Sequence, residues 1–447
     1  MPIMLQRMPV TRREMLKTTA LSLVALPGLA SVAWALERKT FDEPTRTPYR
    51  GSDDQLLDEI ERAAFDFFWN EAGDATGLVR DRALLNGNDS DHRRVASIAA
   101  TGFGLTGLCI AESRGYGKAA AIRDRVRKTL RFLERQLPNE HGFFYHFIDL
   151  ETGERAWNCE LSSIDTSLLL CGVLAVRQHF NDAEIQDRAT AIYERVDWPW
   201  MLNGGETFSM GWKPGSGFLS SRWNHYCELM MIYLLAIGSP THPVSSKTWK
   251  AWTRPIVKFQ GFEYISGHDP LFPREYSQAW FDFRHKRDAY ANYFTNSVTA
   301  TEAHKAFCIS LRDEFPDYSD RLWGISASDS ATDYQVWGGP PRIGRLDGSV
   351  VPCTTGGSLP FLQEDCMRVL RTIRECYPKA WGRYGCVDAF NPLTGWYDPD
   401  VLGIDLGITM LMAENARSGF VWNAFMKNKD VQRAMERTGF KATGAHE

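Results

Sequence analysis

From Leu229 to Leu235 the chain reads Leu-Met-Met-Ile-Tyr-Leu-Leu, without a charge. A helix that is apolar all round must be buried on every side. This one follows a loop rich in Gly, Pro, Ser and aromatics, residues 212–225, and Glu228 falls in its first turns. A carboxylate there is costly unless it is paired, hydrogen-bonded or put to use. The pattern recurs. Ser162-Ser163-Ile164-Asp165-Thr166 leads into Leu168-Leu169-Leu170, and Leu402-Gly403-Ile404-Asp405-Leu406 leads into Ile408-Thr409-Met410-Leu411. Capping would explain any one of these acids, because a carboxylate at a helix start satisfies free N–H groups and the helix dipole. Three at equivalent places, each beside an aromatic loop, point to a cleft.

Charged, amphipathic segments lie between the apolar ones. Spacing predicts helices over 53–72, 95–111, 118–137, 161–180, 182–196, 290–315, 359–377, 402–416 and 419–437. Residues 141–154 read as a hairpin and 329–355 as a long Gly- and Pro-rich loop. Apolar and charged helices alternate while aromatic loops recur, so a supersecondary period survives without a strict sequence repeat. Two concentric rings of helices produce this pattern, the inner ring buried on all sides and the outer ring amphipathic. The expected fold is therefore all-α: an (α/α)6 toroid over residues 53–440, with aromatic and acidic loops at one end and short β-hairpins among them.

Residues 1–35 read as a targeting segment. Thr11-Arg12-Arg13-Glu14-Met15-Leu16-Lys17 has the twin-arginine form, an apolar run spans 20–33, and Ala33-Trp34-Ala35 is a small-x-small cleavage site. The run is short for a spanning helix. The expected route is the twin-arginine translocase, and the expected location periplasmic or secreted, with no membrane anchor after cleavage. Residues 36–52 read as a linker and 441–447 as a tail. The targeting segment carries four basic residues and one acid, so the chain's −4 becomes −7 without it. That balance argues against nucleic acid or an anionic membrane as partner. Nine cysteines cannot all pair, and Cys109, Cys171, Cys308 and Cys366 lie in helical patterns without zinc-type spacing, as buried thiols do.

Other acids and aromatics crowd the loops. Glu160 follows Trp157-Asn158-Cys159, and Asp388, Asp398 and Asp400 sit in the segments 384–392 and 395–400. Acids near Gly and Pro are often only turn residues. Trp396 and Tyr397 beside them, with Trp212 and Trp337 in their own loops, suit a subsite that stacks sugar rings. Glycoside hydrolysis needs two carboxyl groups in different environments, one protonated and one ionised. Burial raises a carboxyl pKa, so Glu228 is the better proton donor and Asp405, beside the Asp-rich loop, the better base. Glu160 joins them as a candidate catalytic residue. Asp165, Trp212, Trp337, Asp388, Trp396, Tyr397 and Asp400 are candidate substrate contacts. No spacing resembles a calcium loop or a His-containing metal motif, and no phosphate or dinucleotide fingerprint is present.

These segments resemble the glycoamylase-like domain, and within it the bacterial β-1,2-glucan hydrolases of glycoside hydrolase family 144. The matching motifs run from 160 to 166, 211 to 213, 225 to 228, 236 to 242 and 276 to 280. They continue at 323–329, 337–341, 347–352, 383–392 and 395–398. The resemblance implies an (α/α)6 barrel, no cofactor, and hydrolysis of β-1,2-linked glucan with inversion. It places the family's acidic cleft residues on Glu160, Glu228 and an acid of the 398–405 loop. Endo and sophorose-releasing action are both consistent with it. The residues alone also admit a hydrolase of another glucan linkage, or a non-catalytic glycan-binding toroid. The acids at three helix mouths speak against the second. A lyase would favour a basic cleft.

Overall fold

The computed structural model describes residues 47–444, apart from 89, 90, 92, 268 and 269. The twin-arginine segment, most of the linker and the last three residues lie outside the described residues. Fourteen helices are described: α1 Asp53–Asn70, α2 Ile98–Arg114, α3 Ala119–Arg135, α4 Ser163–His179, α5 Ala183–Glu194, α6 Trp198–Leu202 and α7 Met230–Gly238. They continue with α8 Tyr276–Trp280, α9 Tyr293–Ser310, α10 Pro352–Gly357, α11 Gln363–Cys376, α12 Gly403–Ser418, α13 Phe420–Phe425 and α14 Lys429–Thr438.

The inner ring is α2, α4, α7, α8, α10 and α12. Helix α2 packs on α4 and α12, α12 also on α8 and α10, and α4 on α7. The Met231 N–H donates to Ser277 Oγ (3.1 Å), joining α7 to α8. Every residue of α7, α8 and α10 is buried, as an inner helix requires. The outer helices α1, α3, α5, α11 and α14 present charged faces to water, and α9 completes the outer ring. The result is the expected (α/α)6 toroid. Helices α2 and α4 cross at their backbones: a Cβ on Gly172 would overlap the Gly102 carbonyl. Only glycine permits that approach. The ring is lopsided. Helices α2, α4 and α12 have 17, 17 and 16 residues, whereas α7, α8 and α10 have 9, 5 and 6.

Short antiparallel pairs stitch together the loops that lead into the inner helices. Strand β1 (Arg82–Leu84) pairs with Asp400–Leu402, which opens into α12. Val95–Ser97, opening into α2, pairs with Phe147–Asp149. Leu161–Ser162, opening into α4, pairs with Gly211–Lys213. Val350 bridges Phe390, ahead of α10 and α12. These ladders bring the mouths of the inner helices to one end of the ring.

Local structure departs from the sequence reading in four places. Residues 141–154 do not form one hairpin: the turn at 151–153 closes a short one in which Ile148 bridges Arg155, while Phe143–Phe144 pairs back with Asn139–Glu140. Glu228 lies in a turn ahead of α7 rather than inside it. The closing helix breaks into α13 and α14, because Asn428 turns extended between them. The 329–355 loop contains strand Tyr334–Val336, paired with Ala327–Asp329, and ends in α10. All nine cysteines are free thiols, and seven of them are buried.

Candidate active site

Two groups of acids occupy the loop end. The first is built around α4. Ser162 caps the helix by accepting from the Asp165 N–H (3.0 Å), and its hydroxyl donates to the Asp165 carboxylate. His146 stands between two acids, with Nδ1 3.5 Å from Glu160 Oε1 and Nε2 3.5 Å from Asp165 Oδ1. Glu160, Asp165 and His146 are all buried. Gly211 packs on the Glu160 side chain, where any Cβ would meet Glu160 Cγ at 2.7 Å. Trp212, next along that strand, is half-buried, its ring 5.8 Å from Trp200.

The second group gathers at α12. Asp388 and Asp405 are buried beside each other. Burial first, then the Asp405 charge and hydrogen bond, raises the Asp388 carboxyl well above the usual range. Asp388 Oδ2 accepts from the Asp329 N–H (2.6 Å), and Asp398 Oδ1 from the Asp400 N–H (3.0 Å). Burial and the Asp329 charge push Asp398 up to about 7. Asp329, Asp388 and Asp398 each offer a carboxylate oxygen, all within 4.8 Å of one another, so this trio could hold a cation. Arg82 already pairs with Asp329 there. Glu275, just ahead of α8, completes the group. It accepts from Ser358 Oγ (2.8 Å), and burial, partly offset by that bond, lifts it to about 8. Such raised values are what an acid catalyst or a proton-sharing cluster requires.

The remaining candidates divide. Glu228 is buried at the mouth of α7, and its carbonyl accepts from Ser277 Oγ (2.8 Å). Asp400 is committed elsewhere: both carboxylate oxygens accept from Arg93, at 2.6 and 2.9 Å. Trp396 and Tyr397 are half-buried on a strand paired with Phe390–Asn391, and Tyr397 stacks on Phe390 at 5.6 Å. Trp337 is not a sugar platform in this structure. It is 1% exposed, and its indole N–H donates to Ser328 Oγ (2.8 Å), so it anchors the loop from inside.

His146, Glu275, Asp329 and Arg93 lie in or beside these groups, and the sequence reading did not single them out as site residues. Glu275 had a signal, since Arg274-Glu275-Tyr276 repeats the acid-at-the-mouth pattern, but a five-residue helix gives no periodicity to see. His146 had none, because the acids that flank it lie in a separate segment, 160–165, which opens into α4.

The Glycoamylase family model matches residues 220–429. An exo β-1,2-glucooligosaccharide sophorohydrolase (non-reducing end) of Parabacteroides distasonis is 28% identical over 434 residues, covering 88% of this chain. The chain spans 58% of that curated relative's length. An endo-β-1,2-glucanase of Chitinophaga pinensis, solved with sophorotriose and glucose, superposes with TM-score 0.82 at 26% identity, over 88% of this chain and 99% of that one. A β-1,2-glucanase of Parabacteroides distasonis superposes with TM-score 0.80 at 26% identity, over 88% and 61%. The likeness to these proteins thus extends well beyond residues 220–429.

Proposed function

We propose that this chain is a glycoside hydrolase that cleaves β-1,2-glucan. The observation that carries the reading is the set of buried acids at four of the six inner-helix mouths, Asp165, Glu228, Glu275 and Asp405, at one end of a toroid whose solved relatives include β-1,2-glucanases. Glu228 serves as the proton donor to the leaving oxygen, because it is buried at the mouth of a wholly buried helix. Asp405 activates the water. Glu160, held by His146, orients the sugar at the bond to be broken. Inversion requires the two working carboxyl groups to stand about 6.5–9.5 Å apart with a water between them. Trp212, Trp396, Tyr397, Asp165 and Asp388 contact the glucan chain. The reaction needs no cofactor. The chain is exported through the twin-arginine translocase and works in the periplasm or outside the cell, a reading supported by Arg12-Arg13 and Ala33-Trp34-Ala35.

The test is product analysis on linear β-1,2-glucan, laminarin, a cellulose-type glucan and starch. Release of sophorose alone from β-1,2-glucan assigns exo action, and a ladder of oligosaccharides assigns endo action. Turnover of another linkage with none of β-1,2-glucan overturns the reading. Glu228→Gln keeps the side chain's shape and removes its proton, so turnover should fall by about 10²–10⁴-fold while the protein stays folded. Near-normal turnover would move the proton donor to Glu160 or Asp165.

A further inference from the structure

The loop before Glu160 contains a residue that neither the fold nor the acid groups account for. Among the described tryptophans Trp157 alone is exposed, at 46%. Its φ is 52° and that of Asn158 is 49°. Asparagine tolerates the left-handed region, but for a bulky residue it is a strained conformation that persists only when the surroundings enforce it. Here they do. Arg155 Nε donates to the Cys159 carbonyl and its Nη2 to the Asn158 carbonyl, both at 2.6 Å. The Ala156 N–H donates to the Phe147 carbonyl (3.0 Å), as does Cys159 Sγ (3.2 Å).

A glycine or asparagine at 157 would carry this turn with less strain. The turn therefore does not call for tryptophan, and the core gains little from a side chain that is half in water. What the strain achieves is direction. The indole rests against Phe147, ring centroids 5.0 Å apart and tilted 59°. Phe147 in turn stacks on His146 at 3.8 Å, and His146 is the residue wedged between Glu160 and Asp165. A continuous aromatic track thus runs from the buried acids to the open indole, a length suited to a short oligosaccharide.

The geometry points to Trp157 as a sugar-stacking platform that binds the glucan chain at a position beyond the unit held at Glu160, and so sets the preference for chain length. This rests on the proposed glucan hydrolysis. A flat indole face pinned by backbone bonds offers an amphipathic ring surface with little entropy left to lose.

The experiment compares wild type, Trp157→Ala and Trp157→Tyr on β-1,2-glucan chains of increasing length, with melting temperature recorded for each. Trp157→Ala should raise KM for long chains by about tenfold and leave kcat within about twofold. Trp157→Tyr should restore most of the affinity, and the shortest chain that is cleaved should be insensitive to both changes. Unchanged KM for long chains in folded Trp157→Ala overturns the inference while leaving the hydrolase reading intact. So does a loss that follows a falling melting temperature and is not restored by tyrosine, because that marks a structural role. A wild type inactive on every β-1,2-glucan removes the hydrolase reading and this inference together.

Discussion

Replacing Glu275 by glutamine should make the protein more stable, and increasingly so as pH rises. Glu275 is fully buried, one oxygen accepts from Ser358 Oγ, and the other has no hydrogen-bond partner. Burial lifts its pKa from 4.5 to about 8, the nearby Asp405 charge adding to the effect. Between those two values the unfolded chain has lost the proton while the folded chain still holds it. The folded state therefore binds more protons than the unfolded one, and stability falls with rising pH. The loss accrues at about 1.4 kcal/mol per pH unit. It reaches about 3 kcal/mol at pH 7 and levels off near 5 kcal/mol above pH 8. Glutamine keeps the shape and never ionises. Urea unfolding followed by tryptophan fluorescence should show the two proteins within about 1 kcal/mol at pH 5, with the gap opening to about 3 kcal/mol at pH 7. A gap that stays constant from pH 5 to 9 would refute the reasoning, because it would mean that Glu275 titrates alike in the folded and unfolded chains.

Trp337→Ala should cost about 3–5 kcal/mol of stability, whereas Trp396→Ala should weaken glucan binding with little change in melting temperature; unfolding and affinity measurements on both variants check the contrast. Asp400→Asn should lower stability by about 1 kcal/mol, since Arg93 is partly exposed and keeps Asp91, and should leave glucan affinity unchanged in a binding titration. Arg12→Lys combined with Arg13→Lys should leave the precursor in the cytoplasm, and fractionation of cells producing it reads this directly.

The toroid was legible because its inner helices must be apolar on all sides and its outer helices on one. That rule is written in single residues, as in the uncharged run 229–235 against the arginine-studded α3. The mouths of the long helices were legible for the same reason, which is how Asp165 and Asp405 were found. Glu228 was found too, although its helix starts later than its apolar neighbours suggest. The short helices α8 and α10 were not legible, since five or six residues show no period, and Glu275 was lost with them. Pairings across loops were also invisible. His146 between Glu160 and Asp165, Arg93 on Asp400, and the Ser328 bond that seals Trp337 inside all depend on contacts distant in sequence. An aromatic in a loop looks the same on paper whether it faces a ligand or plugs the wall behind it.

The unequal inner helices set where this scaffold can change. At 1.5 Å per residue, α2, α4 and α12 rise about 25 Å, and α7, α8 and α10 between about 8 and 14 Å. On the low side the missing height is supplied by the long connections 203–229, 239–275 and 311–351. Asp165 is mounted on α4, locked to α2 by the Gly102–Gly172 crossing, and Asp405 on α12, whose Gly407 packs against Phe103 of α2, whereas Glu228 ends one of the low-side connections. The proposed donor and base thus belong to different parts of the ring, one on fixed masonry and the other on adjustable framing. Their spacing is held by the seams between the parts, such as the one that Asn415 of α12 makes by donating to the Ala279 carbonyl of α8 (2.9 Å), and by the Ser277 bonds that tie α8 to Met231 and the Glu228 carbonyl. Loosening such a seam would detune the rate without touching either carboxyl group, and exchanging a low-side connection would reshape the groove while the tall helices keep their packing.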